Sequence, residues 1–259
     1  MDPFYLKLLA SFVVGGAYIA FVIRLSERFG SALGGVLAGM PSTVLVSLLF
    51  IALTQNAEVM RAAIPIIPAG LGVSAVFLAV YVRLPWRSRL SAWICALPIW
   101  LMGTAMFVFG GVGLTETAIS ALVLVVLAAY LLYSVPHRAL PISKSSAAEF
   151  LFRATLGGGI VALAVFLARH LGPAWGGVAA SFPAASCAAI WLLNRKHGPE
   201  FTASFVKTVP WGIAGNIAFL IFLYAALPDL GLWQATAAAL ILSFSLSFLF
   251  FKTLTSASR

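Results

Sequence analysis

Two stretches of this chain, GGVLAGMPSTVLVSLL at 34–49 and GGVAASFPAASCAAIW at 176–191, share paired glycines, small residues and a proline at the same spacing. Proline lacks an amide hydrogen and clashes with the carbonyl four residues before it, so each stretch predicts an apolar helix with a break or strong kink. Serine or threonine side chains accompany both prolines. The two stretches therefore predict matched, polar interruptions within apolar helices.

An internal duplication surrounds these two stretches. At a shift of 142 residues, Gly15-Gly16 falls on Gly157-Gly158 and Pro41 falls on Pro183 without a gap. Other identical pairs are Ala20 with Ala162, Leu25 with Leu167, Gly30 with Gly172, Ala32 with Ala174, Glu58 with Glu200, Gly70 with Gly212 and Leu90 with Leu232. The repeat predicts two structural units of similar design that cover most of the chain.

The composition places the chain in lipid. Its 259 residues are 62% hydrophobic and 9% charged, whereas a soluble domain is roughly 45–50% apolar and about 25% charged. Nine apolar stretches reach the ~20 residues with which a helix crosses a bilayer. They are 4–24, 31–54, 59–83, 90–110, 116–135, 149–168, 173–193, 201–226 and 231–251. The predicted fold class is all-α, a polytopic membrane helix bundle with nine transmembrane helices.

The basic residues sort by side when these nine stretches are taken as spans. Of the 16 Lys and Arg, only Lys7, Arg61 and Arg169 fall on one side. Cytoplasmic loops are enriched in Lys and Arg, so the crowded side is the cytoplasm. We therefore expect a multi-pass protein of the cell inner (cytoplasmic) membrane, with its N-terminus outside and its C-terminus cytoplasmic. The formal charge of +9 is a topology signal.

The two repeats are expected to be inverted. Each holds four of the predicted spans, and the fifth is left between them, so the second repeat enters the membrane from the opposite face. We assign residues 1–112 to the first four-helix repeat, 113–143 to a linker helix and cytoplasmic loop, and 144–259 to the second repeat. Many secondary transporters have such inverted repeats, with a substrate site near the midplane where the repeats meet.

The candidate site residues lie at and after the matched breaks. A broken helix exposes backbone amides at the positive end of its second half, where an anionic or carboxylate group can bind. Two polar residues inside the eighth stretch, Lys207 and Asn216, lie near them in the predicted bundle. The predicted substrate-binding residues are Gly39, Pro41, Ser42, Thr43, Ser181, Pro183, Ser186, Lys207 and Asn216.

Each of these residues also has an interpretation without a ligand. Glycine pairs and prolines can serve close helix packing or tolerated kinks, and a break can act as a hinge that touches no substrate. Lys207 can extend its ammonium group to lipid headgroups. Asn216 can make a hydrogen bond between helices.

The charged and nucleophilic residues exclude several function classes. All 7 acids lie at loops or helix ends of the predicted bundle, which argues against a carrier with a midplane carboxylate. Cys95 and Cys187 lie inside apolar runs, and no HExxH, GxSxG, paired-carboxylate or Cys/His pattern occurs. We expect no enzymatic activity, no metal and no cofactor. The expected partners are membrane lipids and a small-molecule solute, and not nucleic acid, because the basic residues are spread over five cytoplasmic segments.

The second repeat carries a family resemblance. It includes LFRATLGGG (151–159), GPAWGGVAASFPAAS (172–186) and TVPWGIAGNIAFLIFLY (208–224). A basic residue before the first glycine, an FP break and an aromatic-rich third helix resemble the short, single-repeat membrane proteins of the GlpM type. The first repeat resembles them more distantly, with Met40 in place of the Phe. The resemblance implies a fused antiparallel pair of four-helix units, and it implies no activity or substrate.

Two other duplicated families are excluded by their motifs. Small multidrug-resistance transporters need an acid in the first helix of each unit, and the stretches 4–24 and 149–168 have none in their interiors. Fluoride channels carry a break motif that PSTVLVSL at 41–48 does not reproduce.

These features predict a multi-pass transporter or channel for a small neutral or anionic solute, with a midplane site between inverted repeats. Two alternatives stay open at this point. One is a non-transport membrane scaffold, or a lipid-binding or assembly protein of the cell envelope. The other is lipid translocation, which predicts a lateral groove open to the bilayer.

Overall fold

A computed structural model describes residues 3–27, 30–83, 89–136 and 146–257 of the chain. These residues form twelve α-helices and a 3₁₀ turn at Ile64–Ile66, and no strand occurs among them. The helices are α1 (Pro3–Glu27), α2 (Gly30–Gly39), α3 (Ser42–Thr54), α4 (Ala57–Ala63), α5 (Ile67–Arg83), α6 (Arg89–Phe109), α7 (Leu114–Leu132), α8 (Ala147–His170), α9 (Pro173–Ala180), α10 (Ala184–His197), α11 (Pro199–Val206) and α12 (Val209–Ala257). The predicted all-α fold class is confirmed for the described residues.

Seven segments of the described chain are long and apolar enough to cross a membrane, as a membrane-embedded bundle requires. The last of them, Pro199–Phe250, has 52 residues, more than twice the ~20 that one crossing needs. Helix α12 within it is interrupted at Gly231, where φ is 72°. Helix α6 has 21 residues, and its apolar part Leu97–Phe109 is shorter than a full span. The count of nine spans stays a prediction, and the predicted boundary at 143–144 lies outside the described residues.

Interruptions divide the apolar segments at matching places. Pro41 separates α2 from α3, and Pro183 separates α9 from α10. Farther along, the 3₁₀ turn that contains Pro65 separates α4 from α5, and a short turn before Pro210 separates α11 from α12. Because proline cannot donate to the carbonyl four residues before it, each interruption lies where the helical ladder loses a donor.

Helices α1 and α8 form the closest long pair in the bundle. The ring of Phe4, at the start of α1, lies 6.0 Å from the ring of His170 at the end of α8. Farther along, the Ile19 side chain of α1 covers Gly157 of α8. The order of contacts reverses between the two helices, so they run antiparallel.

Two glycines determine how close this pair comes. A Cβ atom on Gly16 would overlap the carbonyl oxygen of Ala154, and one on Gly158 would overlap the carbonyl oxygen of Phe12. The added atoms would lie 3.3 and 3.2 Å from the Cα atom of the opposite glycine. The backbones therefore touch directly, and van der Waals packing between them stabilises the pair.

Contacts made by one half recur in the other half at the shift of 142 residues. In the α1–α8 pair, each residue of one backbone contact is the repeat equivalent of a residue in the other. The same holds farther along the chain, where Gly35 packs on the carbonyl of Phe205 and Gly177 packs on the carbonyl of Ala63. The two halves are thus built alike and contact each other through equivalent surfaces.

Adjacent glycines of α8 provide a test of this packing. The substitution Gly158→Ala is expected to lower the free energy of unfolding by about 1–3 kcal/mol, because the methyl group would force two backbones apart. Gly159→Ala is the matched control, since a Cβ atom there meets nothing within 4 Å. Thermal melting of both variants in the same detergent measures the difference. Equal melting temperatures for the two variants would contradict the proposed packing.

Candidate functional site

The two breaks have the same local geometry. The backbone angles are φ −72° and ψ 45° at Pro41, and φ −80° and ψ 55° at Pro183. In each break the first amide of the following helix turns back by two residues, from Ser42 to the Met40 carbonyl at 2.7 Å and from Ala184 to the Phe182 carbonyl at 2.8 Å. The matched sequences therefore fold into matched turns.

Both turns border one cavity of about 30 Å³ into which water-sized groups fit. One to two water molecules need roughly that volume. Residues from α2, α3, α5, α10 and α12 contribute to its wall. Among the predicted site residues, those that line it are Gly39, Ser42, Thr43, Pro183, Ser186 and Asn216. Residues distant in sequence are brought together here by the packing of the two halves.

Four backbone amides at this cavity have no hydrogen-bond acceptor among the described residues. They belong to Thr43 and Val44 at the start of α3, and to Ala185 and Ser186 at the start of α10. The next amide in each helix already bonds to the proline carbonyl, from Leu45 at 2.9 Å and from Cys187 at 2.8 Å. The N-terminus of a helix carries the positive end of its dipole. Two such ends therefore meet at one small cavity.

Carbonyls beside the cavity, in contrast, have side-chain donors. The Asn216 Nδ2 atom lies 3.5 Å from the Gly39 oxygen, and the Ser186 Oγ atom lies 3.4 Å from the Ala38 oxygen. The Ser74 hydroxyl lies 3.4 Å from the Ser181 oxygen. These contacts are long, but each points a donor at a carbonyl that the breaks leave exposed. The cavity wall therefore presents more free donors than free acceptors.

The Asn216 side chain adds one free acceptor. Asn216 is 2% exposed, lines the cavity, and its Oδ1 atom has no hydrogen-bond partner in the described part of the chain. Since the Gly39 carbonyl can only accept, it fixes the amide nitrogen on its own side and leaves Oδ1 on the other. A buried acceptor without a partner is costly, which makes this atom a candidate contact for a ligand.

Carboxylates are absent from the cavity wall. Glu58, Glu116, Glu149 and Glu200 lie in the first turns of α4, α7, α8 and α11, where the helix dipole favours them. Glu149 also forms an ion pair of 2.7 Å with Lys196. Within the described residues, no group of three His, Cys, Asp or Glu side chains could hold a metal ion.

Three of the predicted site residues do not line the cavity. Pro41 forms the turn itself, and Ser181 directs its hydroxyl to the Val178 carbonyl at 2.7 Å. Lys207 lies elsewhere, with its ammonium group 3.2 Å from the Tyr133 oxygen and 2.6 Å from the Val135 oxygen. It covers carbonyls after the C-terminal end of α7, where cations are favourable.

Sequence reasoning missed Ser74 and Trp100. Ser74 lines the cavity and is the repeat equivalent of Asn216, so the shift that pairs Gly70 with Gly212 could have found it. The Trp100 Nε1 atom donates to Ser74 Oγ at 2.8 Å, and its ring lies edge-on to Phe182 at 5.1 Å. No sequence signal points to Trp100, because its contact depends on how α6 packs.

Comparisons with known proteins match one half of the chain. Residues 150–256 fit a family described as "Protein of unknown function (DUF3147)". No curated protein and no solved structure matches the chain. The second half thus contains a DUF3147 domain, beginning where the resemblance to the GlpM type begins. The family description does not name that type, so this finer resemblance stays an interpretation.

The position of Lys207 generates a prediction that separates stability from ligand binding. Lys207→Met is expected to lower the free energy of unfolding by about 1–3 kcal/mol, because two carbonyls lose a charged donor. Lys207→Arg keeps a cation and should retain most of the stability. Thermal melting in detergent compares the three proteins. A Lys207→Met variant as stable as the wild type would contradict the structural role assigned to this side chain.

Proposed function

We propose that this chain is a membrane channel or transporter for a small neutral or anionic solute, which binds in the cavity between the two proline breaks. The single observation that carries the proposal is the convergence of two helix N-termini, with four free amides, on a buried cavity without carboxylates. In lipid a free backbone amide is costly, so such a cluster is expected only where something binds or passes.

The proposal includes an architecture of two inverted four-helix repeats with nine spans. Antiparallel packing of α1 on α8, and contacts that recur at the shift of 142 residues, support a two-fold relation within the membrane plane. The interruption at Gly231 supports two crossings within the last apolar segment, and the 21 residues of α6 are enough for another crossing. In this arrangement α3 and α10 approach the midplane cavity from opposite faces.

The small cavity favours a solute over a lipid. A volume of about 30 Å³ has no room for an acyl chain, and its polar wall does not suit one. Hydroxyls of Ser42, Thr43 and Ser186 at the wall can donate or accept, so they suit a polar guest of either kind. We propose no enzymatic step, since no acid or base lies at the cavity wall.

The proposed topology predicts the labelling of single cysteines. In a background without Cys95 and Cys187, Gly113→Cys and Asp229→Cys should react in intact cells with a maleimide that cannot cross the membrane. Glu200→Cys should react only after the membrane is opened, because its loop is expected in the cytoplasm. An unreactive Gly113→Cys would remove α6 from the list of spans, and an unreactive Asp229→Cys would remove the crossing that ends there.

Flux through the cavity can be measured in proteoliposomes. Monovalent anions are followed by potassium efflux with valinomycin, and small neutral solutes by light scattering after an osmotic step. The double variant Ser42→Leu/Pro183→Leu is expected to reduce the flux about tenfold or more, because overfilling a packed site costs about 1–3 kcal/mol.

A matched double variant controls for general damage to the bundle. Ser245 and Pro228 are exposed on α12, away from the cavity wall, so Ser245→Leu/Pro228→Leu should keep the wild-type flux. Size-exclusion profiles and melting curves establish that both double variants fold. If a folded Ser42→Leu/Pro183→Leu protein transports as well as the wild type, the assignment of the site is wrong.

A further inference from the structure

The polar groups of the cavity specify a guest more narrowly than its volume does. Four free amides from Thr43, Val44, Ala185 and Ser186 can only donate. The Oδ1 atom of Asn216 can only accept, and it has no partner among the described residues. A guest that satisfies all of them needs several acceptor atoms and one hydrogen-bond donor.

The charge of the guest follows from the helix ends. Each N-terminus is equivalent to roughly half a positive charge, so the two together match about one negative charge. The carbonyl ends of α2 and α9 partly offset this potential, although side-chain donors cover them. No cationic side chain lies at the cavity wall. A guest with two negative charges would therefore be buried without compensation.

Simple anions do not fit this pattern fully. A halide or nitrate accepts hydrogen bonds but has no hydrogen to donate, so it would leave Asn216 Oδ1 unpaired at 2% exposure. An uncharged solute would leave the two positive helix ends without a counter-charge. An oxyanion that keeps one proton accepts through its oxygens and donates through its hydroxyl.

Resting on the proposed function, we infer that the cavity selects a small oxyanion with a single negative charge and one hydroxyl group, whose hydrogen bond goes to Asn216 Oδ1. Hydrogencarbonate is the smallest convenient probe of this class. Its oxygens accept from the amides of α3 and α10. Met40, a flexible side chain at the cavity wall, can move to admit its four heavy atoms.

Nitrate is the matched probe, because it has the same planar shape, the same number of heavy atoms and the same charge, but no hydroxyl. Purified protein in detergent is titrated with each sodium salt at about pH 8, with gluconate keeping the ionic strength constant. Melting temperature and tryptophan fluorescence report binding. We expect hydrogencarbonate to bind about five- to tenfold more tightly than nitrate, the effect of one added hydrogen bond.

Variants connect this preference to one atom. Asn216→Leu removes the acceptor and should bring the ratio of the two affinities to about one. Asn194→Leu makes the same substitution in the last turns of α10, away from the cavity wall, and should keep the wild-type ratio. Equal binding of nitrate and hydrogencarbonate by the wild type would overturn the inference without any variant, as would a ratio that survives in folded Asn216→Leu.

Failure of this inference differs from failure of the proposed function. If hydrogencarbonate binds preferentially but no solute crosses proteoliposomes, the ligand class stands and transport is wrong. If neutral polar solutes cross while neither anion binds, transport stands and the ligand class is wrong.

Discussion

The need of every backbone polar group for a partner, in a medium that has almost no water, governs this structure. A continuous helix meets the need internally, but a proline break does not. At Pro41 and Pro183 the chain recovers one bond through a tight turn and another from the proline carbonyl, and two amides remain in each break. The remaining amides face a common cavity, so two local defects become one polar site.

Glycines keep that site small. A Cβ atom on Gly39 would overlap the carbonyl of Val209 and lie 3.0 Å from the Cα atom of Gly212. Likewise, a Cβ atom on Gly70 would overlap the Ser181 hydroxyl. These approaches bring α5 and α12 against the two breaks, where Ser74 and Asn216 reach exposed carbonyls. Close packing thus supplies donors to the carbonyls of the breaks and leaves the amides free.

The parts of this arrangement that local chemistry determines could be predicted from the sequence. Proline and glycine act on their own turn of helix, so the repeated GG and P pattern predicted the breaks, and six of nine nominated residues line the cavity. Tertiary partners could not be predicted in the same way. Trp100 meets Ser74 only because α6 lies against α5, and no periodicity in α6 reveals that contact. Lys207 could be located on a helix, but its partner carbonyls belong to another helix.

Those carbonyls explain how a single linker helix can serve both halves. The carbonyl of Pro65, in the first half, accepts a hydrogen bond of 2.5 Å from Thr117 in the first turn of α7. Lys207, the repeat equivalent of Pro65, donates at 2.6 Å to Val135 beyond the other end of α7. Equivalent positions of the two halves thus hold opposite ends of one helix. In the proposed inverted arrangement this is the expected result, because a helix that crosses between halves of opposite orientation presents its amide end to one and its carbonyl end to the other. The residue types differ accordingly: the first position offers a carbonyl to a hydroxyl donor, and the second offers a cation to carbonyls.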